Sequence, residues 1–449
     1  MNSSATGYGG VIYHIGAGNV SVVNSSFVNS STNTYYSSKG GVIFHSGAGS
    51  VSVVNSNFTN ASYKTIMTEY SKIISISNSS FVSCNGGILI RYITNASVSV
   101  SDSSFINSSV VIYISHGGTG NAGTGNANLK VINSNFTNSS DGVITISSHD
   151  YTKKNITCIV INSRFVNSSA SSSWPNLGGT IVLIDDSTSL NTNIYGTVIN
   201  STFINSSVNC HPEDYDDFFG NGGAIFFGAK NYNANVKGNV INSTFINSSA
   251  NVDNENYYNN GCGNGGAIYI QNGNVTNCTF INSSVNGSHS SFSSHSSVGG
   301  AIYGRNLNVS NSRFVNSSAK SGGAIYIQSG NVTNCTFINS STNNEYSTSA
   351  GGAIYIQNGN VTNCTFINSS SDSGGAIYIA YGWQDTHVVN CSFVNSSASN
   401  SGGAINFGSY GPNTARDHYP GRQHHQNKHL IIAPVHPFKN GWAIFSCKV

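Results

Sequence analysis

The fold class this sequence predicts is all-β, a single right-handed parallel β-helix, and three observations predict it. A unit reading GGAIYI, a short polar stretch and then NVTNCTFINSS recurs along the chain, most cleanly from Gly265 to Ser284, Gly322 to Ser341 and Gly351 to Ser370. A supersecondary unit repeated many times specifies a solenoid, in which each unit buries its apolar edge against its neighbours. Ile-x-Ile and Cys-x-Phe pairs have the period-two spacing of strands with one buried face, Gly-Gly and Asn-Ser clusters punctuate each unit, and no helical periodicity interrupts them.

Anchoring the repeat on its phenylalanine gives thirteen coils, at Phe27, Phe58, Phe81, Phe105, Phe136, Phe165, Phe203, Phe245, Phe280, Phe314, Phe337, Phe366 and Phe393. The shortest intervals, Phe58 to Phe81 and Phe314 to Phe337, are 23 residues, which suits three short strands and three turns. At about 4.8 Å per stacked strand the rod is on the order of 60 Å long.

Around each phenylalanine the register is tight. Three positions before it stands Asn, with Asp102 the exception, and two positions after it stands Asn, with Ser83 the exception. Stacked amides donate to one coil and accept from the other, so these columns are expected as structural ladders with their amides turned inward onto buried turn groups. Two positions before the phenylalanine is Ser or, at Cys278, Cys335, Cys364 and Cys391, its near-isostere Cys. No Cys-x-x-Cys or Cys/His spacing accompanies these thiols, so they read as a column of small inward residues rather than a redox or metal centre. Cys84, Cys158 and Cys447 have no evident mates. Cys210 and Cys262 fall in polar insertions at the same turn of adjacent coils, where a loop-to-loop disulfide is expected in an oxidising compartment.

Composition excludes several functions. Lys and Arg number 18 and Asp and Glu 16, so charged residues make up 8% of the 449, against roughly 25% in an ordinary soluble domain. A net charge of +2 with no basic cluster in the repeats offers no footprint for nucleic acid. No apolar run approaches the ~18 residues of a membrane helix. The first residues enter a repeat at once with no leader-like segment, which reads as an internal piece of a longer exported chain, at the cell surface or outside the cell.

The GGA[IV]-type element at Gly222 to Ile225, Gly265 to Ile268, Gly299 to Ile302, Gly322 to Ile325, Gly351 to Ile354, Gly374 to Ile377 and Gly402 to Ile405 resembles the repeats of polymorphic outer membrane proteins and adhesin-like β-helix proteins. Those repeats pair GGA[ILV] with Phe-x-x-Asn. Here the second element reads Phe-Ile-Asn-Ser, with Asn one place earlier, and no autotransporter barrel follows. The resemblance covers residues 1 to 408 and implies an adhesin-like protein of the cell surface or secreted space. No cofactor is expected, calcium on the acidic insertion apart.

Binding is expected where the repeat is irregular. Insertions 208–221, 250–264 and 285–298 follow Phe203, Phe245 and Phe280, so they are expected to stack into one protrusion. It carries Tyr215, Phe218, Phe219, Tyr257 and Tyr258, suited to a carbohydrate or a surface protein. A second reading has these rings fold back onto the wall. Glu213, Asp214, Asp216 and Asp217 supply the oxygens a calcium ion takes, without EF-hand spacing.

The alternative activity is that of a polysaccharide lyase or glycoside hydrolase, since the pectin-lyase-like enzymes share this fold. Such chemistry takes paired carboxylates, or calcium with a base. Asp185-Asp186 is the adjacent pair at a strand end, and as two Asp at a strand-to-loop boundary it also reads as a turn. A flat ice-binding face is opposed by Arg164 and Arg313, which interrupt the outward row of Thr279, Thr336 and Thr365. Of the many Asn-x-Ser/Thr sequons, Asn95 and Asn286, in looser stretches, are the expected glycan acceptors. The tail, residues 409–449, holds four of the six prolines and five of the thirteen histidines, His424, His425 and His429 among them. It is expected to be irregular, a makeshift cap or a fused fragment.

Overall fold

The computed structural model describes residues 4–5, 10–32, 41–62, 64–92, 95–109, 111–116, 126–148, 154–171, 178–185, 192–210, 220–229, 234–252, 263–286, 297–342, 349–380 and 386–408. These residues form β-strands and no helix, hence none long and apolar enough to cross a membrane. The strands pair in parallel, position for position with those of the next repeat, and stack into a nearly closed, solenoid-like shape. Each rung contributes to a 25-stranded sheet, to a 13-stranded sheet that holds the phenylalanines and, from Ser169 onward, to an 8-stranded sheet. In the 25-stranded sheet the Ile-x-Ile strand and the next one, such as Ile43–Ser46 and Ser50–Val54, lie side by side in sequence and merge into single strands at Ile268–Thr276 and Ile302–Ser310.

The phenylalanine column organises the interior. Phe27 to Phe393 occupy equivalent places in the 13-stranded sheet, and their rings stack with centroids 4.5 to 5.1 Å apart, close to the spacing of the strands that carry them. From Phe58 to Phe366 each ring is fully buried. Columns of Ile and Val from the larger sheet, and of Ala from the GGA element, complete the core.

Each three-residue phenylalanine strand is bracketed by two left-handed bends. Asn200 and Asn205, either side of Phe203, have φ of 50° and 53°, and the other ladder asparagines match them. A short amide tolerates this conformation better than most side chains do, which is why Asn recurs and why Asp102 and Ser83 are the stand-ins. The columns do form ladders. Each amide from Asn138 to Asn395 donates to the Oδ1 of the rung before it, over 2.8 to 3.1 Å, in an unbroken series that begins on Asn107. These amides are exposed, which corrects the expectation that they turn inward. The left-handed bend swings the side chain out of the strand's alternation and into solvent.

Buried turn groups are instead satisfied by the Ser/Cys column. The Ser56 amide donates to Ser79 Oγ at 3.1 Å, and that hydroxyl donates to the Ser77 carbonyl at 2.8 Å. The same relay repeats through Ser103, Ser134, Ser163, Ser201 and Ser243. Where Cys replaces Ser the geometry persists: the Cys335 amide donates to Cys364 Sγ at 3.5 Å, and that thiol donates to the Thr362 carbonyl at 3.3 Å.

Glycine is required twice in each GGA element from Gly222 to Gly375. Gly265 takes φ of 69°, and a Cβ on Gly266 would collide with the Gly300 carbonyl of the next rung. Two other positions break this economy. Tyr70 and Tyr92 hold φ of 64° and 55°, a conformation costing a bulky residue about 1–2 kcal/mol.

Candidate functional site

The roots of the three insertions lie together. Ser207–Cys210, Ser249–Val252 and Ser284–Asn286, the strands from which the insertions leave, are successive neighbours in the 8-stranded sheet, paired Ser207 to Ser249 to Ser284. The chain re-enters the wall at Gly222, Gly265 and Gly299, also on consecutive rungs, with the Gly222 amide on the Asn264 carbonyl and the Gly265 amide on the Val298 carbonyl. Three long segments therefore leave and return at matching places.

Buried amides hold the re-entry points. Asn221 and Asn264 are fully or almost fully buried; Asn221 Oδ1 accepts the Asn264 backbone N–H at 2.7 Å, and Asn264 Oδ1 accepts that of Val298 at 3.3 Å. Sequence reasoning missed these two residues. The signal was present in the Asn that precedes Gly-Gly in both units. On the departing side, Asn251 donates to Asn209 at 3.0 Å and Asn286 to Asn251 at 3.1 Å. Asn286 therefore ends a strand within a ladder, which corrects its expected place in a loose stretch. Asn95 is exposed, and its Oδ1 accepts the Asn126 backbone N–H at 2.9 Å.

Tyr215, Phe218, Phe219, Tyr257 and Tyr258, the acidic set Glu213, Asp214, Asp216 and Asp217, and Cys262 lie outside the described residues, as do residues 409–449. Cys210 ends its strand, with its side chain outside them too. Among the described residues no group of three or more His, Cys, Asp or Glu side chains is placed to hold a metal ion.

Cys84, Cys158, Cys278, Cys335, Cys364 and Cys391 are free and buried. Burial pushes the Cys278 thiol up to about 11 and the Cys158 thiol up to about 12, so both are protonated near neutrality. That is the opposite of a poised nucleophile. Asp185 is fully buried at the inward position shared with Ser148 and Ala229, which corrects its reading as a turn residue; Asp186 is outside the described residues. A carboxylate so enclosed does not meet a polymer lying on the wall.

A second aromatic column runs outside the 25-stranded sheet. Phe226, Tyr269, Tyr303, Tyr326, Tyr355 and Tyr378 stack at 4.4 to 5.4 Å. Although they point away from the core, Tyr269, Tyr303 and Tyr326 are only 2 to 7% exposed. Gln328 Nε2 donates to the Tyr303 hydroxyl at 3.0 Å and Gln357 Nε2 to that of Tyr326 at 3.1 Å. These rings are structural, engaged with one another. No protein-family model matches this chain, and no curated protein matches it either.

Proposed function

We propose that this chain is a right-handed parallel β-helix of thirteen coils acting as the stalk of an adhesin-like protein, secreted or at the cell surface. It displays insertions 208–221, 250–264 and 285–298 as one protrusion toward a carbohydrate or a surface protein. The observation that carries this reading is the shared root of the insertions: departure strands paired Ser207 to Ser249 to Ser284, and re-entry at Gly222, Gly265 and Gly299. A wall closed by stacked aromatics and amide ladders is suited to rigidity, and recognition belongs on the segments that leave it. Calcium on Glu213, Asp214, Asp216 and Asp217 would order the first insertion.

The test is a glycan array and a cell-surface pull-down with the full chain, beside a variant whose insertions 208–221 and 250–264 are cut to two-residue turns. Binding lost from a variant with unchanged far-ultraviolet circular dichroism supports the reading. Equal binding by both proteins removes the insertions from recognition.

A further inference from the structure

Tyr70 and Tyr92 stand at one corner of the solenoid, on successive rungs, in a column whose two earlier members are glycines. The backbone bonds fix the correspondence: Gly16 N–H to the Ser46 carbonyl, Gly47 N–H to the Glu69 carbonyl, Tyr70 N–H to the Arg91 carbonyl. All four residues have positive φ, which glycine adopts freely and tyrosine does not. The two rings stack on each other, centroids 5.3 Å apart and planes 20° from parallel, outside the core. Tyr70 is 38% exposed.

Because Tyr92 covers one face of the Tyr70 ring from the following rung, the other face looks toward the preceding rung. There the corner reads Gly47-Ala48-Gly49, and one rung further Gly16-Ala17-Gly18, with Ala48 and Ala17 exposed. The result is a ledge: a flat aromatic face at its back and two rungs of small residues, about 10 Å along the rod, as its floor. Lys72, exposed two residues beyond Tyr70, lies at its rim.

We propose that this ledge is a carbohydrate-binding site, in which a pyranose ring lays the C–H bonds of its apolar face on the open face of Tyr70, and Lys72 donates to its hydroxyls. An electron-rich ring face attracts weakly polarised C–H groups, and a tyrosine offers it with few rotatable bonds to order. Backbone strain kept at the exposed Tyr70 and the half-buried Tyr92, where the two preceding rungs of the column use glycine, marks the rings as retained for recognition. The site lies on the wall at the third and fourth phenylalanine rungs and does not depend on the insertions.

The test uses the full chain on an array of immobilised neutral and acidic oligosaccharides, with methyl pyranosides followed by saturation-transfer NMR as the solution probe. Tyr70→Gly/Tyr92→Gly and Tyr70→Asn/Tyr92→Asn place residues that accept this φ. Both are expected to keep or raise the thermal midpoint while losing at least tenfold in glycan affinity, and Tyr70→Phe to retain binding. Binding kept by the variant with shortened insertions but lost by the tyrosine variants supports this site and removes the insertions. The reverse pattern overturns the ledge and leaves the protrusion standing. Absence of glycan binding by the unaltered chain also overturns it, as does a tyrosine variant that melts earlier yet binds equally, which would make the pair structural.

Discussion

His14 and His45 stack ring on ring, centroids 5.1 Å apart, at the inward position that Ile90, Ile114 and Ile146 occupy further along the rod. His45 is fully buried, with Nε2 3.0 Å from the Gly18 carbonyl and Nδ1 2.8 Å from Ser71 Oγ. The neutral ring satisfies both contacts, donating to Gly18 and accepting from Ser71.

That arrangement makes the first rungs sensitive to acid. Desolvation holds His45 below its ordinary range, helped by the neighbouring His14 and opposed by the bond to Gly18. A histidine with a lowered folded pKa takes up a proton on unfolding, so its stabilisation is present above about pH 6.5 and is lost as pH falls toward the folded value. Hydrogen exchange of residues 41–54 is expected to accelerate, relative to residues 322–341, between pH 7 and pH 5. His45→Ile should flatten that difference. A slope that survives the substitution would assign the effect to another group.

The buried thiols are expected to resist alkylation while the chain is folded. Cys278 and Cys158 are buried and held protonated, and the thiols of Cys84, Cys364 and Cys391 are also raised. Iodoacetamide at pH 8, read by mass spectrometry, should label these five positions only after denaturation. Rapid native labelling at Cys278 would contradict the burial described for it.

At Cys364 the choice of replacement should matter. Cys364→Ser keeps an acceptor for the Cys335 amide and is expected to change stability by less than about 1 kcal/mol, whereas Cys364→Val strands a buried N–H at a cost of about 1–3 kcal/mol. Urea denaturation of the two variants measures the difference. Equal midpoints would mean the relay contributes nothing.

Asn205 separates the bend from the ladder. Asn205→Gly keeps the left-handed conformation and loses the side-chain bonds to Asn167 and Asn247, while Asn205→Ala also carries a conformational cost of about 1–2 kcal/mol. Thermal midpoints should fall further for Ala than for Gly. Equal falls in the two variants would make the amide bonds, rather than φ, the reason for Asn.

Truncating the stack should be the most damaging change of all. Phe245→Ala removes a fully buried ring from between Phe203 and Phe280 and is expected to cost about 3–5 kcal/mol, read by chemical denaturation. A loss under about 1 kcal/mol would show that neighbouring rungs close the gap.

The phenylalanine column was legible because its offsets within the repeat never vary, so the 13-stranded sheet follows from counting residues. The position of the asparagines was equally plain, but not their orientation. Alternation counted from Phe203 puts Asn205 inward, and only the left-handed bend, invisible to a period-two pattern, turns it out. Tyr269 and its neighbours illustrate the reverse failure, since a residue between two inward isoleucines reads as solvent-facing and is nonetheless buried. The root residues Asn221 and Asn264 carried a signal in the Asn before Gly-Gly, but the irregular segments that precede them break the repeat that would have singled it out. Tyr70 and Tyr92 carried no signal, because their conformation belongs to a corner where the local sequence has no Gly or Asn to announce it.

Register shared by every rung has an evolutionary consequence. Ile302 pairs with Ile325 and Phe314 with Phe337 as Ile325 pairs with Ile354 and Phe337 with Phe366, so the surface one unit offers the next is nearly the same at each junction. Excision of residues 322–350 would bring Ser321 to Gly351 and rejoin two like surfaces. Unequal recombination within such a gene can therefore change the number of units in whole steps and still yield a chain that folds. The rod's length becomes a heritable variable, adjustable by about 4.8 Å per event.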